Sequence, residues 1–143
     1  MALAANDLAV LEAVAERLIP SDEHGPGAGQ SGAAAYIERA LDGAYAHFAP
    51  TYATVLALLG ADFAERAPEQ QDAALARLET SDRASFDLVR EHVFEGMFGD
   101  PAYGGNRDHA GWRLLGYPGP RREWTPEEQA LDFRPEDAFD SAR

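Results

Sequence analysis

The side chains that could do chemistry here are the histidines His24, His47, His92 and His109, a scatter of serines, and an abundance of carboxylates; cysteine is absent. Lack of cysteine removes any disulfide framework, thiolate nucleophile, iron–sulfur cluster or thiolate zinc site. A metal centre needs roughly three or four converging ligands. His92 and Glu95 stand one helical turn apart, but no second His/carboxylate pair completes a di-iron arrangement on a helical bundle. The pair reads as hydrogen-bonded neighbours on a surface. His24 and His109 fall in or beside glycine-rich stretches and read as solvated, and His47 reads as the end of a helix, favourable to the dipole.

Nucleophilic catalysis finds little footing. No G-x-S-x-G elbow occurs, and Ser21, Ser31, Ser81 and Ser85 read as helix caps or turns. Glu127-Glu128 and Glu136-Asp137 pair carboxylates on a charged tail that reads as a solvated acidic face. General acid–base work needs one of them desolvated in a pocket. Gly27-Ala28-Gly29-Gln30-Ser31-Gly32 spells G-x-G-x-x-G. The dinucleotide use of that pattern requires a preceding strand that aims a pyrophosphate at a helix N-terminus. Here a helix and Pro20 precede it, so it reads as a flexible interhelical loop.

The elements that would position such groups are helical. Alanine is abundant and β-branched residues are sparse. Leu8, Leu11, Ala15 and Leu18 recur at helical spacing, with Asn6 or Asp7 as cap and Pro20 as stop. A second helix begins after Ser31 with Ile37, Leu41, Ala44 or Tyr45, and Phe48 on one face. A third, beyond Pro50, carries Tyr52, Val55, Leu56, Leu59 and Phe63 and is apolar over most of its girth, which predicts a central position. Pro68 opens a short fourth helix with Leu75 and Leu78 inward. Asp82 caps a fifth that buries Phe86, Val89, Val93 and Met97. No period-two strand is evident. The expected fold is an all-α small helical bundle with short connections.

From Gly99 the texture changes. Gly99, Gly104, Gly105, Gly111, Gly116 and Gly119 alternate with Tyr103, Trp112 and Tyr117. Asn106 can cap a short helix ending near Leu115, with Gly116 as its left-handed terminator. The aromatics of this Gly/aromatic-rich loop segment either anchor a protein interface or close the open end of the bundle. The tail carries Trp124, Leu131, Phe133 and Phe139, and Thr125-Pro126-Glu127-Glu128 is a good helix start. This divides the chain into a helical body, residues 1–120, and an extended C-terminal arm with one short helix, residues 121–143.

The chain has 143 residues, enough for one domain with a real core, as the 45% hydrophobic content allows. A net charge of −13 argues against nucleic acid and anionic membranes as partners. No apolar run approaches the roughly 20 residues of a membrane span, so direct membrane insertion is not expected. The N-terminal residues lack a basic region, a paired arginine and an apolar signal core. As given, the chain is expected to be cytoplasmic, or periplasmic if a twin-arginine signal has been removed.

The run Gly99-Asp100-Pro101-Ala102-Tyr103-Gly104-Gly105-Asn106, with Gly111-Trp112 and Leu115-Gly116-Tyr117-Pro118-Gly119 after it, resembles the signature of the gluconate 2-dehydrogenase subunit 3 family. Leu11-Glu12-Ala13-Val14-Ala15-Glu16-Arg17-Leu18-Ile19-Pro20, Gly25-Pro26-Gly27-Ala28 and Tyr36-Ile37 resemble its opening. The resemblance spans Leu8 to Pro120. It implies a non-catalytic small subunit with no cofactor of its own, which stabilises and assembles a large catalytic partner. That partner is implied to be an FAD-binding flavoprotein of the glucose–methanol–choline type that oxidises a sugar, sugar acid or glycoside, in some complexes with a cytochrome c subunit. The chain departs from the family in lacking both the twin-arginine signal of many members and any cysteine for a disulfide to the large subunit. The resemblance supplies no catalytic, cofactor-binding or metal residue. Tyr103, Gly104, Gly105, Asn106, Trp112, Tyr117 and Pro118 are expected to form or shape the partner interface, with Trp124, Phe133 and Phe139 as a second contact. Two other readings stay open: a dedicated chaperone or export escort for the same partner, and a self-contained enzyme on a helical bundle.

Overall fold

The computed structural model describes residues 3–120, 123, 125–127 and 129. Trp124, Phe133 and Phe139, the expected contacts of the arm, lie outside the described residues, as do Leu131 and the Glu128 expected to close a capping box. Among the described residues the secondary structure consists of six α-helices and short 3-10 turns, with no strand. The helices are α1 (Ala5–Leu18), α2 (Ala33–Leu41), α3 (Ala49–Leu59), α4 (Pro68–Ser81), α5 (Arg83–Phe98) and α6 (Ala110–Leu115). The all-α bundle is what the composition predicts.

The best-punctuated helices form where the sequence marks them. Pro68 occupies the first turn of α4, and the Ala67 amide donates to Gln70 Oε1 at 3.3 Å. Asp82 caps α5 by accepting from the Ser85 amide (3.2 Å) and hydroxyl (2.6 Å). Helix α1 differs at its start: Ala4 is the N-cap and offers no side-chain bond, while Asn6 Nδ2 donates to the Ala61 carbonyl at 3.2 Å. Asn6 therefore ties the helix to a distant turn rather than capping it.

Two further expectations are corrected. Helix α2 ends at Leu41, well short of Phe48. The Gly43 and Tyr45 amides both donate to the Ala40 carbonyl, which turns the chain into a 3-10 segment at Ala46–Phe48. Helix α3 is not the centre of the bundle. It buries Tyr52, Val55, Leu56 and Leu59 but leaves Leu58 64% exposed. The central helix is α5, which packs against α1, α2, α3, α4 and α6. Its inward face carries Phe86, Val89, His92, Val93, Gly96 and Met97. Each large apolar side chain taken fully out of water contributes about 1.5–3 kcal/mol, and Phe63, Ile37, Val93 and Met97 are completely buried around this helix bundle.

The loop between α1 and α2 is folded onto the end of α1 rather than hanging free as the sequence suggested. Ser21 Oγ accepts from the Gly27 amide (2.8 Å), the Ala28 amide donates to the Ile19 carbonyl (2.9 Å), and Ser31 Oγ donates to the Gly27 carbonyl (2.7 Å). Gly27, Ala28 and Ser31 are all buried. The G-x-G-x-x-G letters thus serve chain packing, with no strand before them.

Candidate partner interface

The segment after α5 is organised around Asn106. A helix leaves its last carbonyls without intrahelical donors, and here the following loop supplies them. The Asn106 amide donates to the Gly96 carbonyl (2.7 Å), Asn106 Nδ2 to the Gly99 carbonyl (2.8 Å), and Trp112 Nε1 to the Phe98 carbonyl (2.7 Å). Asn106 Oδ1 accepts from the Gly111 amide at 2.9 Å, in the first turn of α6. The expected cap is therefore present, but it acts across a kink rather than from the residue that immediately precedes the helix. Gly116, at φ +68°, ends α6 in the left-handed conformation, as the sequence predicts.

Glycine is required where this loop meets α5. A Cβ on Gly105 would lie 2.0 Å from the Gly96 carbonyl oxygen, and one on Gly111 2.0 Å from that of Met97. Asn106, Asp108 and His109 all hold positive φ (47°, 55° and 58°), a conformation that costs most side chains energy and that Asn and Asp tolerate best. The Arg113 guanidinium donates to the Asp108 carbonyl within the same turn. The Arg107 amide donates to the Ser31 carbonyl at 2.8 Å, joining this knot to the α1–α2 loop. The two glycine-rich stretches of the sequence are therefore one structure.

The knot sorts the expected interface residues into two groups. Asn106 is wholly buried, and Gly105 and Trp112 are buried with it. They shape the surface from beneath. Tyr103, at 65% exposure, Gly104, Tyr117 and Pro118 lie on the outside, joined by exposed Leu114 and Leu115. The Trp112 ring links the two groups, edge-on to Tyr117 at a centroid distance of 5.1 Å and tilted against His109 at 5.4 Å. Phe94, also exposed, stacks on Phe98 at 5.9 Å, extending apolar surface along α5.

A second polar cluster lies further back along α5. The Tyr36 and Tyr45 hydroxyls both donate to Glu95 Oε2, at 2.8 and 3.0 Å. His92 is 3% exposed, its Nδ1 shares a 2.9 Å hydrogen bond with the Tyr52 hydroxyl, and its ring stacks on Tyr45 at 4.4 Å. This corrects the sequence reading of His92 and Glu95 as a mutual surface pair: each is bonded to tyrosines from α2, α3 and the turn between them. Burial holds the His92 pKa below its ordinary value of 6.5, outweighing the opposing pull of Glu95 and Glu91. Burial likewise raises the Tyr52 pKa, and burial together with the Glu95 bond raises that of Tyr36. For Tyr45 the bond to Glu95 is the main cause of the upward shift. Sequence reasoning missed this cluster. The available signal was three tyrosines on apolar faces, whose hydroxyls must find partners when buried.

Among the described residues no three His, Asp or Glu side chains converge as metal ligands. No helix among them is long and apolar enough to cross a membrane.

A small all-α bundle whose central helix is closed off by an asparagine-centred knot is the frame on which the comparison with known proteins rests. Residues 5–119 match the family described as gluconate 2-dehydrogenase subunit 3, and the chain belongs to that family. By the family's description it is a subunit of a multi-subunit dehydrogenase. Neither the curated proteins nor the solved structures contain a significant match.

Proposed function

We propose that this chain is the non-catalytic small subunit of a flavin-dependent oxidoreductase, and that it stabilises and assembles the large catalytic subunit. The partner is an FAD-bearing protein of the glucose–methanol–choline type, acting on a sugar, sugar acid or glycoside. FAD in that partner accepts the hydride from the substrate C–H bond. This chain offers surface. The observation that carries the reading is the knot itself: a backbone-bonded loop, matched within the family region, that presents Tyr103, Leu114, Leu115 and Tyr117 to solvent. Large apolar side chains held out on a rigid support are what an interface needs, since little ordering entropy is lost on binding.

Tyr103, Gly104, Tyr117 and Pro118 then act as contacts, and Gly105, Asn106 and Trp112 as the support beneath them. Trp124, Phe133 and Phe139 form a second contact. The test is co-expression with a candidate FAD-binding large subunit from the same genome. The complex should purify as one species with a flavin absorbance spectrum, and the isolated chain should show neither flavin nor turnover. Deleting residues 121–143 should weaken assembly while leaving the helical circular dichroism of the body intact. Turnover by the purified chain alone would overturn the proposal, and an active mature flavoprotein found without this chain would favour the chaperone reading.

A further inference from the structure

Beside the exposed ring of Tyr103 lies a cleft of about 310 Å³ lined by Tyr36, Tyr45, Tyr103, Ala40, Ala44 and Arg39. Its chemistry is unusual for this molecule. The Tyr36 and Tyr45 hydroxyls are turned to Glu95, so these side chains are fixed by hydrogen bonds. Arg39 donates one hydrogen bond, Nη1 to the Ala102 carbonyl at 3.0 Å, which pins the Tyr103 turn over α2. Arg39 has no ion-pair partner among the described residues, and the guanidinium retains donors for another acceptor.

The volume sits at the bottom of the range for small-molecule sites, roughly 300–1,000 Å³, and suits an inserted side chain better. Tyrosine and arginine are, with tryptophan, the residue types enriched among those that dominate the binding energy of an interface. Charge narrows the occupant further. On a chain of net charge −13 a partner surface is drawn in by basic groups. A cleft whose rim offers a guanidinium with no ion-pair partner among the described residues asks for the opposite at one point, and such a local inversion fixes register within a generally complementary pair.

We infer that this cleft is the anchor pocket for the catalytic subunit, receiving an apolar side chain of that subunit with a carboxylate beside it to meet Arg39. The inference rests on the small-subunit reading and names the point of attachment within it. Ring faces and alanine methyls take the apolar body, and Arg39 takes the carboxylate as a charge-assisted hydrogen bond. The occupant is a residue of the partner protein, not a free acid and not a second copy of this chain.

The experiment uses the co-expressed full-length complex. Ala44→Trp, at an exposed position, fills the cleft, and Arg39→Glu reverses its charge; each should weaken the complex at least tenfold in a dissociation assay. Leu58→Asp, on the exposed side of α3, is the control and should leave affinity unchanged. A photo-crosslinking phenylalanine analogue at position 103 should capture a peptide of the catalytic subunit that contains Asp, Glu or its terminal carboxylate. Unchanged affinity in both cleft variants would overturn the inference while leaving the subunit reading standing. Capture of this chain itself, or of a peptide without a carboxylate, would also overturn it. If the wild-type chain forms no complex with a flavoprotein, the subunit reading fails and the anchor pocket falls with it.

Discussion

Two polar clusters meet α5, and they are built in opposite ways. The Asn106 knot satisfies its groups almost wholly with backbone: Gly96, Gly99 and Gly111 bond to Asn106, and Phe98 to Trp112. The tyrosine cluster bonds side chain to side chain, through Tyr36 and Tyr45 to Glu95 and Tyr52 to His92. The first contains no titrating group at its centre and fixes where the chain runs. The second fixes where rings stand and includes a group that can take up a proton. Backbone bonding sets the shape of a surface, whereas side-chain bonding sets its texture and leaves it open to pH.

The comparison can be broken most severely at the knot. Gly105→Ala drives a Cβ into the Gly96 carbonyl, and the expected cost is about 4 kcal/mol or displacement of the loop. Chemical denaturation should show the loss, with near-ultraviolet circular dichroism of Trp112 disturbed. Asn106→Ala strands the Gly99 carbonyl and the Gly111 amide; the expected loss is about 3 kcal/mol. In the other cluster, Tyr52→Phe removes one hydroxyl while keeping the ring. It should cost only about 1–2 kcal/mol in the same assay. If Tyr52→Phe proves costlier than Asn106→Ala, the ranking of the two clusters is wrong.

The pH prediction sharpens the contrast. The His92 pKa is depressed in the folded protein, so the unfolded chain binds the proton more readily. Stability is then full above the unfolded value near 6.5 and falls as pH drops through that value toward the lower folded one. Thermal melts between neutral and mildly acid pH should show this slope, and His92→Gln should flatten it. Asn106→Ala should leave the slope unaltered. The smallest effect is expected at the far end of α5 from both clusters: Asp82→Ala removes its N-terminal cap at a cost of about 1 kcal/mol.

What the sequence made legible was local. Pro68 and Gly116 act through their own backbone and Asp82 through a carboxylate that reaches only Ser85, so the starts of α4 and α5 and the end of α6 could be read directly. The length of α2 could not, because Tyr45 and Phe48 keep helical spacing while Gly43 breaks the helix between them. The exposure of α3 was illegible because apolarity does not tell which side a neighbour takes. The burial of His92 depended on tyrosines some forty residues away. Asn106 was readable as a cap, but its role as the centre of the knot needed Gly96 and Gly99 to be brought within reach. For the candidate interface, the residue types were visible and their division into exposed and supporting members was not.

The bond from the Arg107 amide to the Ser31 carbonyl gives distant sequence a voice in assembly. Ser31 is buried, offering no surface to a partner, and its hydroxyl is spent on Gly27. A lesion there would slacken the rim that carries Tyr103 and Tyr117. In a pull-down screen it would score as a contact residue, and only the free subunit's amide-exchange rates would reveal that it is a foundation instead.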